Sequence, residues 1–422
     1  MQRREFIKTA GMAAGLSALS YRRVLGANER IRLGIIGAGG RGRALWEEFL
    51  KQPDVAPAAV CDVYEPFRAE AIGMAKTSVP GFGDFRKLLE APGIDAVIIA
   101  TPDHWHALPT IAACEAGKDV YVEKPLSLRV REGRLMLDAA RKHKRVVQTG
   151  SQQRSGAHYQ RAADIVQSGA LGEVCHVGAG LIHNAMPGFG GEDSKLPAGL
   201  DWEMWLGPAP YRESLPLSPI YHFRNFWDYS GGQMTNFGAH DLDIVRLVMN
   251  AQAPEAVAGF GRRFVLNDGG ETPDVQEVIY QFPNFVVNWS VREMNGGKSG
   301  MFLDFHGTKG TLSLSRSGFE ITPEVWVKSA DPKQPQCQAL KDPGSEQGTA
   351  HIRNFLDCVK SRERPAADIE QGHLTAVMCH LGNIATRTGK MLRWDPQSEQ
   401  IIGDPAANEW LQYEYRKPWR LG

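Results

Sequence analysis

Several absences narrow the reading. No run of about 18 or more apolar residues occurs in the 422-residue chain, so nothing in it has the length of a membrane-spanning helix. Neither charge sign dominates, with 48 Lys and Arg against 48 Asp and Glu, and electrostatics therefore makes no case for a nucleic-acid partner. Cysteine is scarce: Cys61, Cys114, Cys175, Cys337, Cys358 and Cys379 include no C-x-x-C pair. No His, Cys or Asp set has metal-ligand spacing either, so no metal is expected. Cys61 and Cys114 sit in apolar runs and read as buried thiols. Internal repeats and low-complexity segments are lacking as well. What is present is 42% hydrophobic and 23% charged residues, enough for a sizeable core. At roughly 100–200 residues per domain the length suits two domains, or three.

The chain opens Arg3-Arg4-Glu5-Phe6-Ile7-Lys8, followed by a weakly apolar stretch rich in Ala and Gly and by the small pair Gly26-Ala27. Paired arginines ahead of a modest apolar region have the form of a twin-arginine export signal. Residues 1–27 are read as that signal, in preference to a basic amphipathic helix. The expected location is periplasmic or extracytoplasmic. Removal of 1–27 takes away five basic residues and one acid, leaving a mildly acidic body.

From residue 31 to 150, short apolar runs (31–36, 55–61, 96–100, 120–122, 146–148) alternate with helical patterns (44–51, 67–75, 108–116, 130–142). Such alternation predicts a parallel sheet covered on both faces. Beyond residue 150 the texture changes. A helix is predicted over 159–167, then strands over 174–182, 256–264, 275–282, 286–293, 301–305 and 311–314, which read as an antiparallel sheet. A long excursion over 184–232, rich in Gly, Pro and Trp, interrupts it and ends in a helix over 235–250. Excursions of that length are usually functional or oligomer contacts. Helices over 351–361 and 372–388 and an aromatic tail, 391–422, close the chain.

Gly37-Ala38-Gly39-Gly40-Arg41-Gly42 fits G-x-G-x-x-G directly after the first strand and opens a helix, the context a dinucleotide fingerprint requires. Gly37 serves the tight turn, Gly39 the approach of a pyrophosphate, and Gly42 close helix–strand packing. Gly40 and Arg41 lie in the same turn, at a helix N-terminus that favours phosphate. Asp62 ends the second strand, twenty residues after Gly42. An acid there accepts from both ribose hydroxyls and repels a 2′-phosphate, favouring NAD over NADP.

Three more segments complete a pattern: Ala100-Thr101-Pro102-Asp103-His104-Trp105-His106, Glu123-Lys124-Pro125, and Gly231-Gly232-Gln233-Met234-Thr235-Asn236-Phe237-Gly238-Ala239-His240-Asp241-Leu242-Asp243. With these the chain resembles the glucose–fructose oxidoreductase / inositol dehydrogenase (Gfo/Idh/MocA) family. The resemblance is specific to about residue 150 and looser beyond. It implies an α/β fold: an N-terminal Rossmann domain, 31–150, and a substrate and oligomerisation domain, 151–390, with an open, mainly antiparallel sheet. It also implies redox chemistry on a sugar or cyclitol hydroxyl, and a homo-oligomer, dimer or tetramer, built through the open sheet. The family's catalytic or substrate-binding Lys corresponds to Lys124 and its His to His240. Asp243 matches a recurring acid. Asn236 stands where the family usually has Asp.

Read by their chemistry, the same residues divide the work. Oxidation of a secondary alcohol needs a base beside the hydroxyl and a cation or donor for developing charge. His240 suits the first role and Lys124 the second, or the first if desolvation lowers its pKa. Asn236, His240 and Asp243 at i, i+4 and i+7 share one helix face, with Leu242, Val245 and Met249 opposite. An amide at 236 cannot hold an ammonium charged as a carboxylate does, so Lys124 is expected to have a depressed pKa. Glu123 is expected to orient the Lys124 loop, Thr101 and Pro102 to border the nicotinamide, and one of His104 and His106 to touch cofactor or substrate. Trp202, Trp205, Tyr221, Phe223, Phe226, Trp227 and Tyr229 crowd the excursion, with His222, Arg224 and Asp228 among them. Most of these rings suit packing; Arg224, Trp227, Asp228 and Tyr229 are the substrate-side candidates. Export combined with NAD points to a cofactor held tightly and recycled in place. Three functions follow: an NAD-dependent sugar oxidoreductase, an NAD-assisted glycoside hydrolase, or a non-catalytic sugar or nucleotide binder.

Overall fold

The computed structural model describes residues 30–189, 195–297, 300–326 and 334–421; the export segment over 1–27 lies outside the described residues. Strands β1 (Ile31–Ile36), β2 (Val55–Cys61), β3 (Gly81–Phe82), β4 (Ala96–Ile99), β5 (Asp119–Val122) and β6 (Val147–Thr149) form one sheet in the order β3-β2-β1-β4-β5-β6. Every pairing in it is parallel. Helices α1 (Gly40–Leu50), α2 (Glu65–Met74), α3 (Phe85–Glu90), α4 (Ala107–Glu115) and α5 (Val130–Lys142) connect the strands. Leu33, Ile35, Val97, Ile98 and Val120 are wholly buried, which is why these strands read as unbroken apolar runs. The strand order reverses between β1 and β4, opening a crevice at their carboxyl ends. Helix α1 starts four residues before the apolar periodicity indicates, because its first turn, Gly40 to Arg43, faces that crevice and carries no apolar stripe.

The second sheet comprises β7 (Val174–Ile182), β8 (Ala256–Arg262), β9 (Val275–Gln281), β10 (Val286–Arg292), β11 (Gly300–Gly307), β12 (Gly310–Ser315), β13 (Gly318–Pro323), β14 (Leu340–Asp342), β15 (Leu392–Asp395) and β16 (Gln400–Ile401). Their order is β14-β13-β12-β11-β7-β10-β9-β8-β15-β16. The sheet is mixed: β7 and β10 run parallel, and the remaining pairs are antiparallel. The parallel pair arises because the excursion after β7 is a long crossover, which returns the chain to start the β8–β9–β10 meander in a new direction.

Four further helices, α6 (Ala157–Gln167), α7 (Ala239–Met249), α8 (Gly348–Ser361) and α9 (Ile369–Thr388), complete the frame. Three of them, α6, α7 and α9, bury the inner face of the second sheet, around Val177, Tyr280, Val287, Trp289 and Phe305. In contrast, α8 sends Ile352, Phe355 and Leu356 into the core of the first sheet, where Phe355 meets Phe49 and Tyr121 edge-on. The tail docks on the opposite face of that sheet: Tyr415 Oη donates to Glu132 at 2.5 Å, and Trp419 packs on Phe85 and Trp105. Cys61 and Cys114 are buried free thiols. No helix among the described residues is long and apolar enough to cross a membrane.

Candidate active site

The crevice at the β1 and β4 ends opens into a cleft of about 480 Å³, walled on its other side by the excursion and the segment leading into α7. Gly37 makes the turn with φ +89°. A Cβ there would lie 2.6 Å from the Thr101 amide nitrogen, so a side chain does not fit beneath the end of β4. A Cβ on Gly42 would lie 2.0 Å from the Gly37 carbonyl oxygen, which is the close helix–turn packing the motif demands. Gly39, Gly40 and Arg41 line the cleft, and a Cβ on Gly40 would meet nothing within 4 Å. That open space lies before the N-terminal amides of α1, a ready cradle for phosphate.

Asp62 borders the same cleft. Its two oxygens accept from the amides of Ala38 at 2.5 Å and Tyr64 at 2.7 Å, and each keeps a lone pair for a hydroxyl. Burial raises its pKa and the two amides oppose the rise. Two arginines stand nearby. Arg68 donates to the Asp62 carbonyl at 2.9 Å, and Arg43 pairs with Glu70 at 3.0 Å. Both are engaged within the protein, and neither waits for a 2′-phosphate. Thr101 Oγ1, buried at the cleft wall, has no partner among the described residues. An amide cradle, an acceptor for a diol and an orphaned hydroxyl in one groove fit NAD.

At the other end the sequence-predicted residues meet. Lys124 Nζ donates to the Asn236 carbonyl at 2.7 Å and to Asn236 Oδ1 at 2.9 Å, and His240 lines the cleft with them. Asn236 lies in a π-helical turn, Met234–Gly238, that runs into α7. Such widened turns open main-chain carbonyls to other partners and recur at functional sites. Burial pushes Lys124 down to about 8, with Glu123 and Asp103 opposing and Arg224 and Arg41 reinforcing the shift. The expected depression is therefore present, with desolvation as its leading cause. Burial holds His240 well below the usual histidine value, and the positive charges of Lys124, Arg316 and Arg41 add to it, so His240 is neutral near pH 7. Glu123 accepts from Arg41 at 2.8 Å and from the Lys124 amide at 3.1 Å, tying the phosphate-binding turn to the lysine. Burial alone would raise its pKa; Arg41 and Lys124 outweigh that and hold it below the usual value.

Several candidates are not brought to the cleft. Asp243 is buried against Arg154, 2.8 Å away, and accepts from Thr375 at 2.9 Å. Helix α7 is buried on all sides from Ala239 to Arg246, so its Asp243 face meets protein rather than the cleft, and Asp243 braces the helix. His104 is buried with Nε2 3.0 Å from the Trp205 carbonyl, and burial pushes its pKa down to about 3. His106 stands with its two ring nitrogens 2.7 Å from the Pro125 carbonyl and 3.0 Å from the Thr101 carbonyl. It clamps the two strand-end loops together from behind. Asp228 pairs with Arg212 at 2.5 Å, Tyr229 is wholly buried, and Trp227 stacks under Arg387. Of the four excursion candidates only Arg224 lines the cleft, with Trp205, Tyr221 and Phe223 beside it.

The structure also supplies residues to which the sequence assigned no role, Asp103 from within a motif and Arg316 from outside every one. Asp103 and Arg316 line the reacting end; Arg316 sits in the β12–β13 turn, where no motif marks it. Behind Asn236 runs a chain of hydrogen bonds. Asn236 Nδ2 donates to Gln233 Oε1 at 3.0 Å, Gln233 Nε2 donates to Glu293 at 2.7 Å, and His183 stands 3.0 Å from the same carboxylate. Burial raises Glu293 to about 7. Glu293 accepts from Gln233 Nε2, which leaves Gln233 Oε1 to accept from Asn236 Nδ2 and so turns Asn236 Oδ1 toward Lys124.

A parallel sheet with a glycine turn and a diol acceptor at its switch point, facing a lysine and a histidine across one groove, defines an NAD-binding oxidoreductase. Comparison with known proteins agrees. The model of the oxidoreductase family with an NAD-binding Rossmann fold matches residues 31–151, and that of its C-terminal alpha/beta domain matches 188–258 and 332–421. The chain belongs to the Gfo/Idh/MocA oxidoreductase family. Among curated relatives, an uncharacterized oxidoreductase of Streptococcus pneumoniae is 25% identical over 67% of this chain and 71% of its own. A glycosyl hydrolase family 109 protein of Stenotrophomonas maltophilia is 32% identical over 44% of this chain and 43% of its own, so that match spans less than half of the relative. Among solved structures, aldose-aldose oxidoreductase from Caulobacter crescentus, complexed with glycerol, superposes with a TM-score of 0.67 at 19% identity, over 86% of this chain and 99% of its own.

Proposed function

We propose that the protein oxidises a secondary hydroxyl of a sugar, sugar derivative or cyclitol, and that its NAD stays bound and is recycled in place by passing the hydride to a second, carbonyl-bearing acceptor, which is reduced in turn. The observation that carries this is the convergence of Lys124, Asn236 and His240 at one end of a cleft whose other end holds the glycine turn and Asp62. NAD bound there supplies the hydride acceptor. The surrounding charges reverse the division of labour that the residue types alone suggest. Protonating His240 would place a second cation in a buried site beside Lys124, whereas Lys124, near 8, titrates close to working pH and suits a general base. In this reading neutral Lys124 takes the hydroxyl proton, neutral His240 hydrogen-bonds the same oxygen, and Asn236 holds Nζ in place. Lys124→Ala and His240→Ala should each lower turnover at least roughly tenfold, about 1.4 kcal/mol of barrier. Unchanged turnover in both would remove the assignment.

A second reading is favoured by the 32% identity to a glycosyl hydrolase family 109 protein. Transient oxidation acidifies the C–H next to the new carbonyl; loss of that proton expels the aglycone as its alcohol, water adds across the resulting double bond, and the hydride then returns to the carbonyl. Aglycone release with no net change in NADH absorbance would select it. We further propose that residues 1–27 direct export by the twin-arginine route, which carries folded proteins and suits a chain loaded with cofactor. Copies of the chain are proposed to associate through the outer face of the second sheet, where Phe260 and Ile279 are 74% and 50% exposed.

A further inference from the structure

We infer that the substrate is an anionic sugar, whose carboxylate or phosphate is received by Arg224 and Arg316. The inference rests on the sugar-oxidoreductase reading above and deepens it. Lys124, Arg224 and Arg316 border the reacting end of the cleft, and little negative charge answers them. Glu123 is taken by Arg41 at 2.8 Å. Asp103 is buried and accepts from Ser230 at 2.5 Å; burial raises its pKa, with His106, Ser230, Arg224 and Lys124 opposing the rise, so it is at most a partial answer to the three.

Among the described residues no ion pair or side-chain hydrogen bond engages either guanidinium; Arg224 only lies over the Phe223 ring, 4.6 Å from its centroid. The contrast with Arg212, in the same excursion, is direct. That side chain is held by Asp228 at 2.5 Å and Glu271 at 2.7 Å. The excursion neutralises an arginine that serves the fold and leaves the one at the cleft free. The two free forks come from separate parts of the chain, the Phe223–Asn225 turn and the β12–β13 turn. Their charges are felt at the reacting groups, Arg224 at Lys124 and Arg316 at His240. They therefore stand near the substrate, while the amides of α1 serve the pyrophosphate. A guanidinium presents paired donors matched to a carboxylate or phosphate, and such bonds are the strong, geometrically selective ones. A neutral sugar would leave the two guanidinium charges unanswered in a partly desolvated groove.

The test uses the NAD-loaded protein with matched pairs: glucuronate against glucose, galacturonate against galactose, glucose 6-phosphate against glucose. At least one anionic member should exceed its neutral partner in kcat/KM by about tenfold or more. Arg224→Gln and Arg316→Gln should each erase most of that preference and leave NAD affinity within about twofold. A response to uronates alone assigns a carboxylate, and a response to the phosphate alone assigns a phosphate. Neutral sugars turned over as well as anionic ones would overturn the inference and leave the oxidoreductase reading intact. If no sugar changes NADH absorbance, that reading fails, and calorimetry decides the charge preference separately. Arginine-dependent binding of an anionic sugar over its neutral partner supports it, and equal or absent binding overturns it. Loss of NAD binding in either variant would assign the arginines to the dinucleotide and also overturn it.

Discussion

In the proposed reading Lys124 carries the chemistry, because burial brings its proton affinity close to working pH. With a pKa near 8 and the neutral amine as the base, turnover should rise with pH through about 8. Asn236→Asp would put a carboxylate where Oδ1 now stands, 2.9 Å from Nζ. That favours the ammonium and should move the rising limb up by about one unit, cutting turnover at pH 7 roughly tenfold. A pH–rate profile of both proteins checks this, and an unmoved limb would deny Lys124 the role. Glu293 acts one step back. Glu293→Ala frees the Gln233 amide to turn, and with it Asn236, so turnover should fall about tenfold with NAD affinity unchanged. Glu293→Gln, which keeps an acceptor oxygen, should retain most activity. Lys124, His240 and the Asn at 236 were legible because each lies in a short local motif. Gln233 and Glu293 were not, because sixty residues separate them and only the folded sheet brings them together.

At the scale of the element, the segment entering α7 departs most from the sequence-based expectation. Ideal helical spacing puts Asn236, His240 and Asp243 on one face; Asn236, in the π-turn at Met234–Gly238, and His240 both line the cleft, whereas Asp243 is taken up by Arg154 and Thr375. The longer central strands were legible from apolar runs and turn residues, whereas β3 and β13 to β16, mostly short or at sheet edges, were not, and the parallel β7–β10 pair depends on a crossover no local pattern records. Asp243 is 1% and Arg154 6% exposed. Asp243→Ala should therefore cost about 3–5 kcal/mol in denaturant unfolding by stranding a buried guanidinium. A loss of sugar affinity without that destabilisation would return Asp243 to the substrate. The neighbouring Asp241, buried and bonded only to Trp289 Nε1 at 3.1 Å, is raised by burial from 3.8 to about 8. Between those values the unfolded chain gives up a proton that the folded chain keeps. This group therefore disfavours folding progressively from about pH 4 to 8, and the penalty levels off above 8. Asp241→Asn keeps the shape and an acceptor and removes the titration. Its stability advantage over the native protein should grow with pH up to about 8, by at most roughly 1.4 kcal/mol per unit. Parallel urea curves at pH 5, 6.5 and 8 would contradict it.

For the whole molecule, the decisive feature is that the cleft is enclosed by parts of the chain that are also bound to each other. Helix α8, late in the sequence, completes the first core through Ile352, Phe355 and Leu356, and the tail closes over Phe85 and Trp105. The sequence marked a helix over 351–361 but not which core receives it, since both sheets offer apolar surface. The consequence is thermodynamic: a ligand seated in this cleft stabilises the core of the first sheet and the segments of the second part that wall it. At 100 times its dissociation constant, NAD would add about 2.7 kcal/mol to the folded state. If the cofactor is recycled in place, protein purified without added NAD should carry close to one equivalent per chain. Stripping it should lower the melting temperature by several degrees, and re-addition of stoichiometric NAD should restore it. A protein isolated empty, stabilised only by NAD far above stoichiometric amounts, would instead be an enzyme that exchanges cofactor at every turnover. Such an enzyme would need a nicotinamide pool wherever it works, and an extracytoplasmic location would then be excluded on chemical grounds.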